Sequence, residues 1–160
     1  MPREPFFPAL WERQHGERFE VVLAWELTSL LLADLVQSYL PINFRTSEEN
    51  ELSLSAYLHQ NRTVFAHAVS NWPCTVSLEL HVTSIPDLAL QYRGTIRYFL
   101  LLRAFDNKSA GALEMALSHF TTLQALLNSC FLEAEFTPVR DRNHLESLSK
   151  PFDPSWATSL

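Results

Sequence analysis

The sequence predicts an α+β fold, a two-layer sandwich with two helices on one face of a largely antiparallel sheet. Three observations carry that expectation. Residues 19–27, 75–83 and 96–105 alternate with period two, as half-buried strands do. Residues 28–40 and 106–129 repeat their apolar side chains at helical spacing instead. The order along the chain is strand, helix, two or three strands, a long strand, helix, strand, which supplies two helices for four to six strands.

Residues 1–18 read as an N-terminal arm, because Pro2, Pro5 and Pro8 oppose regular structure. In "FEVVLAWEL" (19–27), Phe19, Val21, Leu23, Trp25 and Leu27 face one way, and Glu20, Val22, Ala24 and Glu26 the other. "TSLLLADLVQSYL" (28–40) changes period: Thr28 or Ser29 can cap a helix whose stripe is Leu31, Leu32, Leu35, Val36 and Tyr39, and Pro41 stops it. Residues 43–62 are ambiguous, with weak alternation in "ELSLSAYLH" favouring a strand. "TVFAHAV" (63–69) predicts another strand, and "SNWPC" (70–74) a turn. "TVSLELHVT" (75–83) sets Val76, Leu78, Leu80 and Val82 against Thr75, Ser77, Glu79, His81 and Thr83. "SIPDLALQYRG" (84–94) predicts a loop.

Then comes a long strand with an apolar or aromatic row, Ile96, Tyr98, Leu100, Leu102 and Ala104. Its second row is Arg97, Phe99, Leu101, Arg103 and Phe105, apolar in the middle and charged towards both ends. Such a strand belongs in the centre of a sheet. The best helix is 106–129, capped by Asp106, Asn107 or Ser109 and striped by Leu113, Ala116, Leu117, Phe120, Leu123 and Leu127. "CFLEAEFTPV" (130–139) alternates again, with Leu132, Ala134 and Phe136 inward and Glu133 and Glu135 outward. These elements give a single domain over 19–139 in a ferredoxin-like arrangement, followed by a C-terminal tail at 140–160.

The bulk properties narrow the function classes. The chain has 160 residues, 47% of them apolar and 19% charged, a globular composition. A net charge of −6 argues against general nucleic-acid binding, which needs a basic field. The two cysteines, Cys74 and Cys130, form no metal-binding or disulfide pattern, so a reducing, cytoplasmic compartment is expected. The N-terminus carries charges and prolines where a signal peptide has an apolar core. Glu20, Glu26 and Asp34 interrupt the longest apolar region, so no membrane span is expected. Only three glycines are present, and neither GxxxxGK[ST] nor GxGxxG occurs, so the phosphate-cradling loops are missing. No cofactor, metal or catalytic residue is expected.

The candidate binding face is made of Glu79, His81, Arg97, Phe99, Arg103, Glu133 and Glu135. Carboxylates and an imidazole on adjacent strands, with His67 nearby, are materials for acid–base or metal chemistry. The plainer reading is a solvated row of an amphipathic sheet. Arg97 and Arg103 can grip an anion bidentately, or can pair across strands with Glu79, Glu133 or Glu135. Phe99 and Leu101 have no evident use on a wet face; if both stand exposed, a partner or a covering arm is the simplest explanation. Cys74 follows Pro73 in a turn, where a thiol can be exposed, yet no catalytic signature surrounds it. Trp11, Trp72 and Trp156 lie in irregular, Pro-flanked segments, where aromatic residues either pack against the domain or await a partner.

The stretches "CTVSLELHVTS", "RGTIRYFLLLRAFDNKSAGALEMALSHFTTLQALL" and "FLEAEFTPV" together resemble the α+β domain that precedes the motor in HerA-like ATPases of DNA transfer and conjugation. The resemblance covers about residues 74–139 and rests on element order and hydrophobic pattern. It implies a non-catalytic domain that mediates assembly or docking. The motor's phosphate loop is absent, so no ATPase residue carries over. The leading expectation is a non-enzymatic interaction domain with a protein partner or a second copy of itself. The alternative is a small-molecule-binding or catalytic domain using the polar sheet face.

Overall fold

The computed structural model describes residues 8–30, 50–87 and 93–149. They form an α+β fold around a five-stranded, open, antiparallel sheet with three helices. The strands are β1 (Trp11–His15), β2 (Arg18–Leu30), β3 (Val76–Asp87), β4 (Arg93–Asp106) and β5 (Ala134–Pro138). The helices are α1 (Asn50–Ser70), α2 (Ser109–Cys130) and α3 (Arg142–Ser149). The strand order is β1-β2-β4-β3, and β5 pairs with the far half of β2. β1 and β5 therefore share one edge, where Ala9 N donates to Val139 O and Val139 N donates to Ala24 O, splicing the two short strands end to end. β3 is the opposite edge.

Local sequence explains most of these elements. The β1–β2 hairpin turns at Gly16, whose φ of 60° suits a residue without a Cβ. β4 is central because both of its rows are apolar in the middle; Phe99, Leu101, Leu102 and Ala104 are all essentially inaccessible. Gly111 lies in the first turn of α2, where a Cβ would collide with the Asp106 carboxylate. That close approach lets Asp106 Oδ1 accept from Lys108 N at 3.1 Å. Asp106 thus orders the turn before α2, while the helix's N-cap position, Lys108, makes no side-chain capping bond.

The main core lies between one sheet face and α2. Val21, Leu23 and Trp25 of β2, Leu102 and Ala104 of β4, and Val76 of β3 pack on Ala112, Ala116, Leu123 and Leu127. Trp25 stacks on Phe120 at 4.6 Å, and its indole N–H donates to Gln124 Oε1 at 2.6 Å. α1 rests on this layer through Phe65, edge-on to Phe131, and through Trp72 just after its end, edge-on to His119.

The other face departs from the two-layer expectation. Val22, Ala24, Phe99 and Leu101 are buried there against Val139, Leu145 and Leu148, so α3 covers part of it. The segment expected as a tail from residue 140 contains this helix. Asp141 Oδ1 accepts from Asn143 N at 2.9 Å, and Asp141 O accepts from Leu145 N, a helix start built by one acid. The arm expected over 1–18 likewise contains β1, and Trp11 and Ala9 pack against the second core.

The strands expected at 51–59 and 63–69 are instead the single helix α1. Residues 50–70 contain no Gly or Pro, and Tyr57, Leu58, Asn61, Phe65, Ala68 and Val69 recur every three or four positions as its half-buried stripe. Tertiary packing along that stripe overrides the β-preference of Thr63 and Val64. Residues 28–30, expected to begin a helix, end β2, and the rest of that stretch lies outside the described residues. The expected loop at 84–94 is strand at both ends, β3 running to Asp87 and β4 starting at Arg93.

Docking of α3 makes Leu145→Ala costly. It should lower stability by about 2–5 kcal/mol, as buried Leu truncations do. Urea unfolding should show an earlier midpoint with an unchanged slope.

Candidate functional site

Three of the expected residues, Glu79, His81 and Arg103, come together on the second sheet face. Arg103 Nε lies 2.8 Å from Glu79 Oε1, and Glu79 Oε2 lies 3.1 Å from His81 Nε2. The register explains this meeting. Ser77 sits beside Arg103, so Glu79 is the diagonal neighbour of the arginine and shares its face. A fourth member, Glu20, was not in the expected set; Arg103 Nη1 donates to its Oε1 at 2.5 Å. Glu20 also takes His15 Nε2 at 3.0 Å, and Arg103 Nη2 donates to Ser149 O at the end of α3, at 3.3 Å. The result is a line His15–Glu20–Arg103–Glu79–His81 crossing β1, β2, β4 and β3. Glu20, His81 and Arg103 are all buried.

Arg97 is separate from this line. It grips Glu26 bidentately, Nε and Nη2 each 2.6 Å from a carboxylate oxygen, and its guanidinium lies 5.1 Å from the Phe99 ring centroid. Phe99 also meets His144 of α3 edge-on at 5.2 Å. Both arginines do occupy one face, but their partners are Glu20, Glu26 and Glu79, not Glu133 or Glu135. Glu133 accepts from Arg62 of α1 at 3.2 Å, and Glu135 accepts from Ser29 at 3.0 Å. The expected seven therefore split into four settings. His67 is exposed at the end of α1, where its carbonyl accepts from Asn71 Nδ2.

The electrostatics follow from these contacts. The hydrogen bond from Arg97 holds the Glu26 carboxyl below its ordinary value and raises Arg97 in turn. Burial pushes Glu79 upward, but hydrogen bonds from His81 and Arg103 outweigh it and leave its carboxyl lowered. The cations are thus spent on internal carboxylates. Phe99 and Leu101, between the two arginines, are buried under α3, so the covering is part of this chain. Among the described residues, no three His, Cys, Asp or Glu side chains are grouped to hold a metal, and no helix is long and apolar enough to cross a membrane.

A half-open cleft of about 540 Å³ lies elsewhere, at the start of α2, lined by Arg18, Cys74, Thr75, Asp106 and Met115 among others. The Cys74 thiol is exposed. Thr75 Oγ1 donates to Met115 Sδ at 3.2 Å, and none of the expected site residues reaches the cleft.

The surface the sequence reading missed is apolar. Leu80, Val82, Ile96 and Tyr98 are 65, 58, 57 and 42% exposed. Each belongs to a row that continues into the main core, with Leu80 beside Leu100 and Val82 beside Tyr98. Element length was the available signal. Fourteen residues of β4 extend about 46 Å at about 3.3 Å per residue. The 22 residues of α2 extend about 33 Å at about 1.5 Å per residue. The hairpin outruns its helix. No family model, curated protein or solved structure matches the chain.

Two outcomes test the reading of the polar line as charge compensation. Arg103→Met should cost about 3–5 kcal/mol, because it leaves Glu20 and Glu79 facing each other without a cation. The triple variant Glu20→Gln/Glu79→Gln/Arg103→Met should recover most of that loss in denaturant midpoint. Acid should also destabilise the fold. Glu26 and Glu79 titrate below 4.5 when folded and near 4.5 when unfolded, so the unfolded chain binds protons first as pH falls. Their contribution is complete above 4.5 and disappears through the lowered folded values. Thermal melts across that range should show the fall, and Glu26→Gln should flatten it.

Proposed function

We propose that this chain is a non-catalytic interaction domain whose working surface is the free end of the β3–β4 hairpin. One observation carries the reading: four large apolar side chains, Leu80, Val82, Ile96 and Tyr98, stand exposed side by side on a regular sheet face. Single exposed apolar residues are ordinary, whereas a contiguous group marks a contact surface. The group mixes aliphatic and aromatic chains, and aromatic residues are enriched in interface cores. The polar face offers no comparable opening. Its guanidinium and carboxylates are committed to one another, and α3 lies over its apolar middle.

The framework supports the same reading. We take β2-α1-β3-β4-α2-β5 as a ferredoxin-like arrangement, supported by the order β5-β2-β4-β3 and by the position of α1 and α2 in the two crossovers. β1 and α3 are additions to it. The resemblance of residues 74–139 to the domain preceding HerA-like motors points in the same direction, towards assembly or docking without catalysis.

A photo-crosslinking residue in place of Tyr98, in cells making the full chain, tests this. A discrete intermolecular adduct is expected on irradiation, with none from the same probe at Leu117, an exposed position on α2. The absence of any intermolecular adduct at Tyr98 would overturn the proposal.

A further inference from the structure

We infer that the partner of this surface is a second copy of the chain, joined by antiparallel pairing of the two β3 edges about a two-fold axis at Leu80. The inference rests on the interaction reading above and names its occupant.

The two sheet edges differ. One is divided between β1 and β5, each five residues long, and short strands are a standard protection against edge pairing. The other is β3, twelve residues long, and among the described residues no strand lies beside it. β3 lacks the usual guards. Its register with β4 runs from Val76↔Ala104 to Asp87↔Arg93 without a bulge. It contains no Lys or Arg, and its one proline, Pro86, sits at its last pair but one. Its acid within the regular stretch, Glu79, is already held by Arg103 and His81. Pairing two such edges brings no uncompensated like charges together.

The free backbone groups coincide with the exposed side chains. Phe105 N bonds Thr75 O, and in an antiparallel ladder every second residue bonds the same neighbour. The odd-numbered residues of β3 therefore bond β4, and Leu78, Leu80 and Val82 direct their N–H and C=O groups outward. A two-fold axis at Leu80 sets that residue opposite its own copy and exchanges both bonds between them. It sets Leu78 opposite the partner's Val82 on the helix-bearing face, and Glu79 opposite the partner's His81 on the other. Apolar meets apolar, and carboxylate meets imidazole, with both copies using one patch. Pairing β3 against the β1/β5 edge of a further copy would instead set a continuous strand against a spliced one and leave its ends open. The self-pairing closes at two.

Sedimentation equilibrium of the full chain tests this, with amide exchange as a second readout. The expected result is a particle of twice the 18.4 kDa chain mass, with slow exchange at Leu78, Leu80 and Val82. L80K or V82K should each weaken the dimer at least about tenfold, because each change appears twice at the axis. The monomer should stay folded with at most a small fall in melting temperature, since both side chains are mostly exposed and each change loses only a cross-strand pair. L117K on α2 should leave the dimer intact. A wild-type chain still monomeric at about 0.1 mM, or a dimer that survives both L80K and V82K, would overturn the inference. A monomer that crosslinks through position 98 to a different protein would sink the self-pairing and leave the interaction reading standing. A monomer with those three amides protected would place another part of the same chain on the edge, and would also sink the dimer.

Discussion

A guanidinium with only 5% of its residue surface exposed sits near the middle of the sheet, and much of the structure is arranged around it. Arginine does not lose its proton at any ordinary pH, so Arg103 must be compensated where it stands. Glu20 reaches it from β2, Glu79 from β3, and the Ser149 carbonyl from the end of α3. One side chain on the central strand thus ties two neighbouring strands and a helix separated from it by almost forty positions. The net stability from such a buried group is small, because desolvation opposes the attraction. Its larger effect is on register. A slip of one residue along β4 would turn Arg103 into the main core, where Leu102 and Ala104 now pack, and leave both glutamates without a cation.

The same strand accounts for the covering of both faces. Leu102 and Ala104 need α2 on one side; Phe99 and Leu101 need something on the other, and α3 supplies Leu145 and Leu148. This is where the sequence was most and least legible. The strands β2, β3 and β4 and the helix α2 were visible because each repeats its pattern over nine or more residues. The double apolar character of β4 also identified it as central. α3 was not visible, because eight residues with two inward leucines give less than three turns of periodicity. α1 was misread because its stripe is only half buried, so polar residues such as Asn61 stand within it and weaken the helical period. Pairing across strands was half legible. The residues that share a face with Arg103 could be read, but the choice of Glu20 and Glu26 over Glu133 and Glu135 depends on strand order, which alternation does not encode.

The polar line and the apolar patch occupy opposite faces and differ in what they can do. In the first, each polar group already has an internal partner: Arg97 has Glu26, Arg103 has Glu20 and Glu79, and the His81 ring has Glu79. A ligand entering there would have to displace an internal partner and leave it buried and unpaired. In the second, nothing needs displacing. Contact with an apolar surface removes Leu80, Val82, Ile96 and Tyr98 from water without breaking any ion pair. At this end of the hairpin the wholly apolar row is exposed, and Phe99 in the row with charged ends is covered.

The exposed row also explains how the hairpin can extend beyond its helix at all. A two-stranded ribbon without a packed face is marginal in water, and here the last pairs lie beyond the reach of α2. Val82 beside Tyr98 and Leu80 beside Leu100 are aliphatic and aromatic cross-strand pairs, which contribute about 0.2–1 kcal/mol each relative to alanine. The side chains that leave the surface apolar are thus the ones that keep the two strands together past the helix. Charged residues in the same row would lower the tendency to associate, but would also loosen the ribbon. Pairing at the hairpin end and the apolar character of its surface draw on the same four residues. The main core under α2 and the Arg103–Glu20 pair lie towards the other end of the strands, so the exposed row can change without altering those contacts.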